Sequence, residues 1–198
     1  MTRPLRVLGL AGSLRSDSHN RALLHAAARL AGPGVELDVF EGLKGIPVFD
    51  EDLEADTPPA VAGLRRAVGE ADAVLFATPE YNQSMPGVVK NLVDWLSRGG
   101  AGLADKPVAV IGASTGPWGT RIAQSQLRHV LLAVGALVVP APALYVAHAA
   151  SRFDERGVLI DADLAERLAD VVGELAGWAR RLGGELAPEA DVSATLVG

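Results

Sequence analysis

The stretch Leu5-Arg6-Val7-Leu8-Gly9-Leu10-Ala11-Gly12-Ser13-Leu14-Arg15-Ser16-Asp17-Ser18-His19-Asn20 opens the chain's pattern and decides its fold class. The apolar run from Leu5 to Leu10 has the length of a buried strand, and Ala11-Gly12-Ser13 ends it in a turn. From Asn20 to Leu30 the period changes. Leu23, Leu24, Ala27 and Leu30 fall on one side of a helix, which Gly32-Pro33-Gly34 stops. Val35 to Phe40 is a second strand, at the spacing of a βαβ unit.

The alternation continues outward. Glu41 to Pro59 is a longer connection whose apolar patch is Ile46-Pro47-Val48-Phe49. Its acids Asp50, Glu51, Asp52, Glu54 and Asp56 lack a calcium-loop pattern and read as a solvated loop. Pro58-Pro59 opens a helix carrying Val61, Leu64 and Val68, and the uncharged Ala73 to Ala77 is a central strand. After the loop Thr78 to Met85, Pro86-Gly87 starts a helix through Val88, Leu92 and Leu96, with Pro86 in the first turn, where a missing N–H costs nothing. Pro107 to Ala113 is the next strand, Ser114 to Gly119 its loop, Thr120 to Val134 a helix, and Leu137 to Pro140 the last strand. Asp161 is placed to cap a final helix ending near Leu182, with Leu164, Leu168, Val171, Val172, Leu175 and Trp178 as its buried stripe. Strands apolar on both faces, alternating with helices, predict an α/β fold. It is a three-layer, doubly wound sandwich around a five-stranded parallel sheet, one domain over residues 1–182 with a mobile tail over 183–198.

Composition narrows the function classes. Among 198 residues, 24 acidic side chains outweigh 18 basic ones, and no basic block offsets the net charge of -6, so neither a broad nucleic-acid surface nor a polybasic membrane anchor is expected. The absence of cysteine removes disulfides, thiol nucleophiles and cysteine-ligated metal centres. The four histidines form no metal-binding motif, and no metal site is expected. Met1 to Arg6 is too short and polar for a signal peptide, and no run of 18 apolar residues follows, so a cytoplasmic protein is expected.

Right-handed crossovers gather the loops at the carboxyl ends of parallel strands on one edge, beside the switch point where ligands bind. Three of those loops are unusual. In the first, Gly12 permits a tight turn, Ser13, Ser18 and Asn20 offer short polar groups, and Arg15 brings a fixed positive fork. With the N–H groups and dipole of the following helix, and with His19 beside them, they suit a terminal phosphate. Neither Gly-Lys-Ser/Thr nor Gly-x-Gly-x-x-Gly occurs there, so a triphosphate or dinucleotide grip of those kinds is missing. Ser18 or Asn20 can equally cap the helix. Arg15 discriminates, because capping has no use for it.

That loop, together with Pro79-Glu80-Tyr81-Asn82-Gln83-Ser84-Met85-Pro86-Gly87 and Lys90-Asn91-x-x-Asp94-Trp95, closely resembles the NADPH-dependent FMN reductase family of flavodoxin-like proteins, over roughly Arg6 to Tyr145. The resemblance implies sheet order 2-1-3-4-5 and non-covalent FMN, with its phosphate on Ser13, Arg15, Ser18, His19 and Asn20. It places Pro79, Glu80, Tyr81, Asn82 and Ser84 along the ring, chiefly through backbone, although Ser84 is also well placed to cap the next helix. Ser114 and Thr115 would meet the pyrimidine side, with Gly116 and Gly119 allowing close backbone approach. No catalytic side chain is needed, because the flavin carries the chemistry. NADPH or NADH would pass hydride to flavin N5, and the reduced flavin would then serve a quinone, free flavin, azo compound or chromate in a ping-pong scheme.

The resemblance also implies a homodimer or homotetramer, with Lys90, Asn91, Asp94 and Trp95 near the subunit boundary. The helix keeps Gln124-Ser125-Gln126-Leu127-Arg128, but Thr120 stands where a glycine is common, which would alter the turn or narrow the nicotinamide entrance. Gln126 and Arg128 read as polar helix positions or subunit contacts. The alternative is a flavodoxin-like electron carrier or regulatory module without NAD(P)H turnover. Its usual Ser/Thr-rich phosphate loop fits this sequence less well than Ser-Leu-Arg does.

Overall fold

Each apolar run becomes a strand. In the computed structural model, which describes residues 3–100 and 102–185, Leu5–Ala11 forms β1, Val35–Val39 β2, Ala73–Ala77 β3 and Pro107–Ala113 β4. Two shorter strands follow, β5 at Leu137–Val138 and β6 at Leu144–Val146. The helices are α1 His19–Leu30, α2 Pro59–Glu70, α3 Gly87–Leu96, α4 Arg121–Ala133 and α5 Ala162–Glu185. All strand pairs are parallel, in the expected order β2-β1-β3-β4-β5.

The edge beyond β4 differs from expectation. Instead of one last strand over Leu137 to Pro140, β5 pairs with Pro107 and Val108, and β6 pairs further along with Ile111, Gly112 and Ala113. Pro140 and Pro142 lie between them and have no N–H to donate, so the ladder stops and resumes after them. The last helix also runs longer than expected. It starts beside Asp161, whose Oδ1 accepts the Leu164 N–H at 2.9 Å, and continues through Gly183 to Glu185. The rest of the anticipated tail, 186–198, lies outside the described residues.

Successive strand residues point to opposite faces, and this splits the core in two. Val7, Leu75, Ala109 and Ile111 face α1 and α5, meeting Leu23, Leu24, Leu168 and Val172. Leu8, Leu10, Val74, Phe76, Val108 and Val110 face the other way and meet Leu64, Val68, Leu92, Leu96, Leu127 and Leu131 of α2, α3 and α4. Burial on both faces of β3 and β4 explains their lack of charge. It also leaves the strand ends as the place for polar function.

The connection after β2 is pinned by α3. The Trp95 ring is fully buried, its Nε1 donates to the Pro47 carbonyl at 2.9 Å, and it meets the Phe49 ring edge-on at 4.9 Å. Asn91 donates to the same carbonyl at 2.8 Å and accepts the Phe49 N–H at 2.7 Å. Within the chain, Asn91 and Trp95 therefore serve to hold the Pro47–Phe49 segment, while Lys90 and Asp94 pair one turn apart on the surface. At the opposite end of the sheet, Asp72 accepts the Arg3 guanidinium through both oxygens, at 2.6 and 2.8 Å, and the Arg6 N–H at 2.8 Å.

The Arg3 hydrogen bond is the main cause holding the Asp72 carboxyl below the ordinary aspartate range, against the opposing effect of partial burial. A carboxyl depressed in the folded state stabilises the fold above its unfolded pKa of about 4, and loses that contribution as pH falls through the lower folded value. Asp72→Asn is expected to cost about 1 kcal/mol at pH 7 and to flatten the acid limb below about pH 4. Thermal unfolding followed from pH 7 to pH 2 reads both effects.

Candidate functional site

The loops after β1, β3 and β4 meet at one edge of the sheet. The ladder carries into them: Gly12 N–H donates to Ala77 O at 2.7 Å, Thr78 N–H to Ile111 O at 2.9 Å, and Ser114 N–H to Val146 O at 2.9 Å. A cleft of about 120 Å³ opens among the three, lined by Ser13, Arg15, Ser18, His19, Asn20, Pro79, Glu80, Tyr81, Ala113, Ser114 and Thr115. Most of the expected site residues are thus brought together. Asn82, Ser84, Gly116 and Gly119 do not line the cleft, and their places follow from how the loops are built.

In the first loop Ser18 caps α1, its hydroxyl accepting the Arg21 N–H at 3.3 Å. Asn20 is buried at 3% exposure, and both ends of its amide are engaged: Nδ2 donates to Ala113 O and Oδ1 accepts Ala113 N–H, each at 2.9 Å. Asn20 therefore shapes the cleft by joining the first loop to β4, with its carbonyl oxygen and one of its two amide protons committed to that pair. Arg15 is exposed, and among the described residues no carboxylate pairs with it. His19 stacks on Phe153 with ring centroids 5.8 Å apart. Burial, and secondly the charge of Arg15, push the imidazole pKa below its usual value.

The second loop is a tight hairpin. Tyr81 and Ser84 exchange backbone hydrogen bonds of 3.0 Å in both directions, and Asn82 and Gln83 between them sit at φ 51° and 60°. Positive φ at both central residues is the geometry of a type I′ turn, which suits Asn82 and strains Gln83. The Ser84 hydroxyl does not cap α3, which opens at Pro86 with no side-chain cap. It donates to Gln126 Oε1 of α4 at 2.6 Å. Glu80, next to the buried Pro79, accepts the Ile122 and Ala123 N–H groups at 2.9 and 3.1 Å through Oε2. A carboxylate from one loop thus caps the helix that follows another.

The third loop explains why α4 needs that cap. Thr120 occupies the N-cap position with φ 66° and caps nothing with its side chain. It is 1% exposed and turned inward, where its Oγ1 accepts from Gln124 Nε2 at 3.0 Å. The space it fills lies over Gly112, where a Cβ would come within 2.1 Å of that hydroxyl. The expectation that Thr120 narrows an entrance is therefore corrected: its side chain packs against the sheet. Gly119, at φ 62°, allows a close approach to the Tyr145 backbone, which a Cβ would meet at 2.9 Å. Arg128 donates to Val139 O at 2.7 Å and braces α4 on the sheet, and burial lowers its pKa.

The donor set fits a phosphorylated planar ligand. Ser13, the α1 N-terminus and the unpaired Arg15 supply hydrogen bonds and charge for a phosphate. Pro79, Tyr81 and the backbone of the second loop supply a flat edge, and Ser114 and Thr115 supply hydroxyls. A larger cleft of about 330 Å³ lies beyond His19, lined by Arg21, His25, Phe153 and Arg156 together with Asp17, Asp154 and Glu155. It lacks the β3 and β4 loops, and its charges are mixed, so it is not where the site residues converge. Among the described residues no three potential metal ligands gather. Sequence reading missed the side-chain roles of Glu80 and Gln126 and the Phe153 stack. For Glu80 and Gln126 the local signal was their presence in recognisable motifs, whereas Phe153 lies outside them, and the partners of all three are distant in the chain.

The comparisons agree with this geometry. The profile of the NADPH-dependent FMN reductase family matches residues 5–151. The NAD(P)H-dependent FMN reductase of Pseudomonas aeruginosa is 41% identical over 186 residues, spanning 93% of this chain and 100% of that protein. A 2-hydroxy-1,4-benzoquinone reductase from a Burkholderia species is 39% identical over 178 residues, spanning 89% and 97% respectively. Among solved structures, the flavoenzyme NAD(P)H:(acceptor) oxidoreductase FerB of Paracoccus denitrificans superposes with a TM-score of 0.81 at 35% identity, covering 89% of this chain and 98% of that one. A doubly wound sheet with three loops converging on one cleft, matched by this profile over most of its length, belongs to the NADPH-dependent FMN reductase family, and the chain is an FMN- and NAD(P)H-dependent oxidoreductase.

Proposed function

We propose that the chain holds FMN in the three-loop cleft, oxidises NADPH or NADH there, and reduces a quinone as its preferred small acceptor. The observation that carries the placement is the convergence of Arg15, the α1 N-terminus and the second and third loops on one cleft. Bound FMN would supply the chemistry, accepting hydride and returning electrons to the acceptor. The chain's own groups hold and orient: Ser13, Arg15 and Ser18 at the phosphate, the backbone from Pro79 to Asn82 along the ring edge, and Ser114 and Thr115 at its polar side. His19, stacked on Phe153, would form the wall beside the phosphate. No charged side chain is assigned a proton-transfer step, since Glu80 is engaged in capping α4.

The cleft is small for a ligand of this size, since drug-sized pockets run to about 300–1,000 Å³. Much of the ring would therefore lie open or beneath a second copy of the chain. An apolar groove of about 530 Å³ begins at Leu14, between Ser13 and Arg15, and continues along Ile46, Val48, Phe49 and Val88. Val48 is 83% exposed and Trp118 71%. Large apolar side chains left this open support a homodimer or homotetramer. No helix among the described residues is long and apolar enough to cross a membrane. A cytoplasmic site of action, where reduced nicotinamide nucleotides are kept, belongs to the same proposal.

Mixing the FMN-loaded protein anaerobically with NADPH, and separately with NADH, is expected to bleach the flavin absorbance rapidly, and a quinone to restore it. A bound flavin that neither nucleotide bleaches would leave an electron carrier or regulatory module in place of the enzyme. Arg15→Ala is expected to weaken FMN binding by about 10- to 100-fold, the loss of a charge-assisted hydrogen bond, while leaving the melting temperature of the apoprotein unchanged. Flavin fluorescence quenching at two salt concentrations measures it. Val48→Glu is expected to shift the sedimentation coefficient toward that of a monomer.

A further inference from the structure

The hairpin Tyr81–Ser84 is not held by the helix that follows it. Asn82 and Gln83 both stand at positive φ, which suits Asn82 but strains Gln83, and a strained residue persists there only where its surroundings impose it. Helix α3 offers no side-chain cap at Pro86. The holding groups come from α4. At one end of the loop the Glu80 carboxylate is fixed by the Ile122 and Ala123 N–H groups. At the other, Gln126 accepts from the Ser84 hydroxyl at 2.6 Å and the Met85 N–H at 3.4 Å, and its Nε2 donates to Gln83 O at 3.4 Å.

Helix α4 is a firm anchor for this purpose. Its inner face buries Ala123, Leu127 and Leu131, Gln124 donates to Leu144 O at 2.9 Å, and Arg128 reaches Val139 O. Ile122, Ala123 and Gln126 lie within about one and a half turns of one another and span the whole hairpin. Pro79, Glu80 and Tyr81 line the cleft, so whatever sets this loop sets one wall of the site.

We propose that Glu80 and Gln126 are positioning residues, a two-point clamp through which α4 presets the loop backbone that meets the flavin ring. This rests on the cleft being the FMN site. The clamp acts in the absence of ligand, which separates it from residues that touch the cofactor. It assigns the carboxylate of Glu80 a geometric duty, so that an uncharged acceptor at the same place retains most of it. The strained turn is kept ready and does not have to be formed when the cofactor arrives.

The test uses the full chain and the variants Glu80→Ala, Glu80→Gln and Gln126→Ala. Amide hydrogen exchange is followed over residues 79–85 and at Ile122 and Ala123 in the apoprotein. FMN affinity is measured by quenching of flavin fluorescence, together with the visible circular dichroism of the bound flavin. Glu80→Ala and Gln126→Ala are each expected to speed exchange in 79–85, to raise the Kd for FMN about tenfold and to alter the dichroism, and Glu80→Gln is expected to recover most of the affinity. If Glu80→Ala does not fold, Gln126→Ala carries the test alone, because Gln126 is only partly buried. Gln126→Ala with wild-type exchange and wild-type affinity would overturn the clamp, and so would a Glu80→Gln as weak as Glu80→Ala. A wild-type protein that binds no FMN would instead bring down the cofactor reading itself.

Discussion

The double hydrogen bond between the Asn20 amide and the Ala113 backbone is the interaction on which the rest of the site depends. A side-chain amide presents a donor and an acceptor at nearly the spacing of a peptide group, so Asn20 pairs with the end of β4 as a short piece of strand would. The pair is buried, and breaking either half would leave a peptide group without a partner, at a cost of about 1–3 kcal/mol. Through it the start of α1, with Ser18 and His19, is held at a fixed distance from the loop carrying Ser114 and Thr115. The β3 loop then closes the third side.

Polar groups at this edge serve mostly one another. Glu80 caps α4, Gln126 holds the hairpin, Gln124 and Arg128 bind the helix to β6 and the β5 end, and Ser18 caps α1. Arg15 is the conspicuous exception, a guanidinium on the rim with no carboxylate beside it among the described residues. An oxidoreductase whose cofactor does the electron chemistry has this requirement: it needs rigid walls and one committed charge more than it needs a tuned acid or base. The residues at left-handed φ fit the same economy. Thr120, Asn82 and Gln83 adopt left-handed backbone where the chain must turn sharply at the strand ends, and each lies next to a contact that fixes it.

Edge structure shows how strongly the sheet controls the loops. Proline at 140 and 142 divides the last strand, so β6 rather than β5 flanks the end of β4 nearest the cleft. Ser114 is then tied to Val146, and Gly119 packs on Tyr145.

Most of the architecture was legible in the chain. Strand runs such as Ala73–Ala77, helix stripes such as Leu23, Leu24 and Ala27, and the turn residues between them are local patterns, and periodicity alone implies a parallel sheet with its loops on one edge. The three motif loops and the positive charge that Arg15 brings to the first of them were equally visible. Tertiary structure alone decided what Asn20, Glu80, Ser84, Thr120 and Gln126 do. Asn20 meets a backbone 93 positions away, Glu80 a helix end 42 positions away, and Ser84 a glutamine also 42 positions away. Thr120 turns inward because Gly112 leaves it room. Such partners are set by which elements the sheet order places side by side, and a short polar residue carries no periodic signal that could announce them.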